Sequence, residues 1–153
     1  MAAERQARDP GTASLELVFV APMLLAVLMM IIAFGRFAQT ESLVDQAARD
    51  GARAATAQNA KAEVGPLVQE IAEETTERTP ESCSGSASAR SSMTAGAYGL
   101  PDLADPPRVE SVTVQVSCTL DLSDLSDLFA LPLRSVVVKR TFTSPLDRYR
   151  GYQ

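Results

Sequence analysis

Hydrophobic positions fall along this chain in three different patterns, and each predicts a different element. From Leu17 to Phe34 there are eighteen residues without a charge. As a helix this run is about 27 Å long, close to the roughly 30 Å of a bilayer hydrocarbon core. Beyond it, "FAQTESLVDQAARDGARAATAQNA" (37–60) has no proline and is rich in Ala, Gln, Glu and Arg, so the helix is expected to continue. Ala47, Gly51 and Ala55 recur in it at i, i+4, i+8. That stripe has two readings: a surface on which another helix can approach closely, or simply an Ala-rich helix of high propensity.

A second helix is predicted from Pro66 to Arg78, with proline in its first turn and Leu67, Val68, Ile71 and Ala72 on its apolar face. The stretch 79–107 is loaded with Ser, Gly and Pro and reads as a long loop. The period then changes from helical to alternating. In "RVESVTVQVSCTL" (108–120), Val112, Val114, Val116, Cys118 and Leu120 share one face while Ser and Thr, with Gln115, take the other. That alternation marks a half-buried strand. A second β-branched run, Arg134 to Ser144, is expected to pair with it antiparallel across "DLSDLSDLFALPL". The closing "PLDRYRGYQ" reads as a polar tail.

The expected fold class is therefore α+β: a long N-terminal transmembrane helix with an Ala-rich extension, then a small domain with a second helix and an antiparallel hairpin or small sheet. The segments are a leader at 1–11, a span at 12–36, an extension at 37–60 and a domain at 61–153. An apolar stretch this long, followed by "GRFAQTES", fits retention in the membrane better than cleavage as a secretory signal. Arginines flank the span on both sides (Arg5 and Arg8; Arg36, Arg49 and Arg53), so charge bias alone does not orient it.

Composition narrows the function. The chain has a net charge of −5 and scattered basic residues, which argues against nucleic acid as a partner. It has no histidine, which removes the commonest general base and metal ligand together. No Ser/Lys motif or Gly-rich phosphate loop replaces it. No catalytic residue, cofactor or metal site is expected. Asp121, Asp124 and Asp127 recur every third residue but lack the glycine and distal glutamate of a calcium loop, so they read as an amphipathic turn with Leu122, Leu125 and Leu128.

Glu16 is the residue that needs explaining. An acid beside an apolar helix either sits among headgroups where the span begins or has a task. Cleavage after Gly11 would make Thr12 the amino terminus and put Glu16 four residues on, on the same helix face. A free amine there can pair with the carboxylate of its own chain or of a neighbour, so that two costly charges become tolerable together. Glu16 then reads as a docking charge for assembly.

These residues resemble the class III signal of type IV pilin-like proteins, in which a polar leader ends in a glycine separated by four residues from a glutamate. More closely, Leu15–Glu16–Leu17, Pro22, the exit Phe34–Gly35–Arg36 and Ala47–Ala48–Arg49 followed by Gly51–Ala52–Arg53 resemble the TadE family of tight-adherence (Flp) pilus assembly proteins. The resemblance implies a bacterial minor pilin or pseudopilin, cut by a prepilin peptidase and assembling with other pilin-like subunits and the Tad machinery. It places the N-terminus in the cytoplasm and the domain outside. The alternative is a membrane-anchored binding module unrelated to filaments. With the domain outside, Cys83 and Cys118, the only cysteines, can form a lasting disulfide. The bond would be worth roughly 3–4 kcal/mol; the other state is two free thiols.

Overall fold

The computed structural model describes residues 10–77, 83, 85–99, 109–123 and 135–147. The leader before Pro10, the Asp124 and Asp127 turns and the end of the tail lie outside them. The chain divides into two units, Met1–Gly35 and Arg36–Gln153.

Helix α1 spans Pro10–Ala57 and is unbroken in its helical assignment at Pro22. Within the first unit its apolar side chains have no cover: Leu17, Phe19, Met23 and Phe34 are 66–73% exposed. Its most apolar window has a mean hydropathy of 2.9 and none of it is buried, which makes α1 a candidate membrane span. A helix that is hydrophobic all round must be covered by other protein or by lipid.

In the second unit α1 continues from Arg36 and α2 follows at Lys61–Glu77. The second helix starts five residues earlier than its apolar pattern suggests, so Pro66 lies inside it. Val64, Val68, Ala72 and Thr76, one helical turn apart, form its buried line. Three strands follow among the described residues: β1 (Ser88–Met93), β2 (Ser111–Asp121) and β3 (Ser135–Pro145). They form one antiparallel sheet in the order β1-β2-β3, with Arg90 opposite Gln115 and Ser117 opposite Lys139.

The alternation read in β2 decides the layers. Val112, Val114, Val116, Cys118 and Leu120 are buried. All but Leu120 share one core cluster with Val44, Ala47, Ala48, Ala52 and Ala55 of α1 and Val64, Val68 and Ala72 of α2. Both helices thus cover one face of the sheet, and the other face is open and polar apart from the exposed Val137, as antiparallel sheets permit.

Two stretches differ from their sequence reading. Strand β1 lies inside 79–107, the stretch expected to be loop; its SARSSM sequence alternates only between polar and small residues, and Ala89 and Met93 alone meet the core. Leu146, in the expected polar tail, is 5% exposed and packs in the core, with its N–H donating to Glu110 O at 2.8 Å.

Candidate functional site

The N-terminal unit presents a carboxylate at the head of an apolar helix. Gly11 and Thr12 lie in the opening of α1, and Glu16 follows on the same helix and is exposed. Thr12 and Glu16 stand four residues apart, one turn along the axis.

In the second unit, the Ala/Gly/Arg stretch of α1 has a definite seat. Ala47, Ala48, Gly51, Ala52 and Ala55 are buried. A Cβ placed on Gly51 would lie 3.4 Å from Val68 Cγ1 of α2 and 3.4 Å from Val114 Cγ1 of β2. The stripe Ala47, Gly51, Ala55, expected to receive another helix, is therefore occupied by the chain's own α2 and sheet. Small residues permit close approach but do not say to what, and here the nearest apolar surface is intramolecular.

Polar residues around this stripe fasten α1 to the outer strand. Arg49 Nε donates to Asp45 Oδ2 at 2.9 Å, and its guanidinium lies 5.5 Å from the centroid of the Phe142 ring. Arg140, on the same face of β3 as Phe142, pairs with Glu41. Thr40, fully buried, donates its hydroxyl to Arg36 O at 2.9 Å, one turn back. The end of α1 is held by Tyr98, whose hydroxyl donates to Ala55 O. Tyr98 has a φ of 63°, a left-handed conformation unfavourable for a residue with a side chain. Its turn is braced by Glu110, which accepts from the Thr94 hydroxyl and from Gly96 N at 3.3 Å.

Cys83 and Cys118 are joined, Cα to Cα 5.5 Å, and both are 1% exposed. Ser86 sits beside the bond, its Oγ accepting from Thr119 N at 3.1 Å. Close by, Gln69 of α2 accepts from Ala89 N at 2.8 Å and donates to Ala87 O at 3.2 Å. One side-chain amide thus satisfies the free edge of β1 as a further strand would.

Among the described residues no group of three or more His, Cys, Asp or Glu side chains converges as a metal site. Asp121 is exposed, and its carboxyl is held below the usual range by the N–H of Ser123 and then by that residue's hydroxyl. The ties made by Tyr98, Arg49, Arg140 and Gln69 were not read from the sequence, because each links residues distant in the chain or depends on which face of an element turns inward.

The chain thus combines a disulfide-braced α+β domain with, among the described residues, one helix long and apolar enough to cross a membrane. Over residues 11–53 the chain matches the model of the family described as TadE-like protein. The resemblance to the TadE-like family is thus shown for the segment holding both Glu16 and the Ala/Gly/Arg stretch. A search of curated proteins and a search of solved structures each returned no match.

Proposed function

We propose that the chain is a non-catalytic minor pilin or pseudopilin that takes part in assembling or exporting a Flp/Tad-type pilus. The match of residues 11–53 to the TadE-like family carries this reading. Three features support it. The apolar surface of α1 has no cover within its own unit, so lipid or the helices of other subunits must supply it. Glu16 stands at the head of that surface, where the amine of a mature Thr12 or of a neighbouring chain can neutralise it. The buried disulfide suits an oxidising compartment, which supports a cytoplasmic N-terminus with the domain outside.

In this mechanism α1 does two tasks. Its first half is held in the bilayer until the subunit is taken up by the machinery, with the Glu16 charge guiding register against a neighbour. Its second half is fixed to the sheet, so a pull on the helix is transmitted to a folded domain. Prepilin peptidase supplies the free amine by cutting after Gly11.

The test is the N-terminal sequence of the protein recovered from membranes with and without the host's prepilin peptidase. A chain that begins at Thr12 only when the peptidase is present is the expected result. An intact leader in both would remove the amine that Glu16 needs, and a membrane-anchored binding module would then be the better reading.

A further inference from the structure

Among the described residues, two exposed surfaces of the second unit are opposite in charge. The first is the open face of the sheet, where Arg90 of β1 and Lys139 of β3 are exposed. Among the described residues neither makes an ion pair. The hydroxyls around them are already matched across the strands: Ser88 to Ser117 at 2.8 Å and Thr113 to Thr143 at 2.9 Å. The one carboxylate on this face among the described residues, Asp121, is at the far end of β2, where Ser123 N donates to it.

The second surface is the outer side of α2, a helix with five glutamates and one lysine. Glu63, Glu70 and Glu77 recur every seventh residue and are all exposed. At 100° per residue their line runs directly opposite the buried line of Val64, Val68, Ala72 and Thr76. Since α2 covers the inner face of the sheet, the carboxylate line and the open face lie on opposite sides of the same two-layer domain.

The spacings agree as well. Arg90 is opposite Gln115 and Lys139 is opposite Ser117, so the two cations are two strands and two residues apart. That places their Cα atoms about 12 Å apart. Along α2, seven residues advance about 10.5 Å, a difference that the long Arg and Lys side chains absorb.

We infer that the open sheet face of one copy receives the Glu63/Glu70/Glu77 line of α2 from a second copy, head to tail. A contact between two different faces of one subunit does not close on itself in pairs and can extend from copy to copy. Exposed ion pairs contribute little each. The contact therefore forms where a membrane or a filament already holds copies at high local concentration, and it weakens as salt rises. It concerns the domain's own faces and goes beyond the pilus reading: it would stand even if the leader were never processed.

The experiment uses the full chain, prepared light and heavy in isotope, mixed in lipid vesicles and treated with a zero-length carbodiimide. The expected products are a ladder extending past dimers and heavy–light peptides joining Lys139 to Glu63, Glu70 or Glu77. Reversing both cations (Arg90→Glu with Lys139→Glu) should cut the ladder about tenfold. Adding Glu70→Lys and Glu77→Lys to that chain should restore it. An unchanged circular dichroism spectrum and urea midpoint check that each variant is folded. The absence of heavy–light product, products that stop at dimers, links through other residues, or no recovery in the charge-swapped chain would each overturn the inference.

Discussion

A methyl group on Gly51 would touch Val114 Cγ1 at 3.4 Å, so the C-terminal part of α1 and the strand β2 are separated there by little more than their own backbones and one valine. Val68 of α2 closes the same point from the other side at 3.4 Å. This is where the three layers of side chains meet, and small residues on α1 set the distance.

The first prediction concerns that point. Gly51→Ala adds a methyl at an ordinary contact distance and gains helix propensity, so stability should be unchanged or rise by up to about 1 kcal/mol. Gly51→Leu has no room and should cost about 1–3 kcal/mol by overpacking. Thermal unfolding of the two variants in the same detergent, followed by circular dichroism, decides it; equal melting temperatures would mean that the seat is looser than described.

The disulfide should matter more than any single core side chain. Its cysteines are 35 residues apart, and closing such a loop restricts the unfolded chain by about 4 kcal/mol. The double variant Cys83→Ser with Cys118→Ser, or the reduced wild type, should unfold at much lower urea concentration. Coincident urea curves for oxidised and reduced protein would rule this out.

Tyr98→Phe isolates the tie between the turn and the end of α1. The ring remains and only the hydroxyl that donates to Ala55 O is lost. The expected cost is about 0.5–1.5 kcal/mol, with faster hydrogen exchange in the last turn of α1. If exchange there stays at the wild-type rate, the bond does not hold that end.

Glu16→Ala tests the assembly charge in the cell. Removing an acid from the head of an apolar helix should not hinder insertion, so the protein should reach the membrane in normal amount. Piliation should nevertheless fail. Normal pili with Glu16→Ala would show that the carboxylate has no part in assembly.

Reading the chain by period located most of the elements, for identifiable reasons. The run Leu17–Phe34 is apolar on every side, a pattern that does not depend on what surrounds it. The alternation from Val112 to Leu120 states in advance which face of β2 is buried, because successive strand side chains point to opposite sides. Strand β1 was not legible, since SARSSM has no β-branched or aromatic residue and owes its extended form to pairing with β2 and to the Gln69 amide on its other edge. The start of α2 was hidden in the same way: Lys61, Ala62 and Glu63 carry no apolar signal, and Val64 is a core residue only within the cluster that α1, α2 and the sheet form together.

What the sequence determined by itself is an uncharged apolar run headed by Glu16, a resemblance to the TadE-like family that covers this run and the stretch after it, and a strand with one apolar face. Periodicity and charge are local, so these survive without knowledge of the fold. What only the tertiary structure decided is which partner each face meets. The small residues of the 47–55 stripe could have accepted any close neighbour, and they are filled by Val68 and Val114 of the same chain. Arg49 found Phe142, and Leu146 left an apparently polar tail for the core. Such contacts join residues far apart in the chain, and their geometry exists only after the sheet has set the register that brings them together.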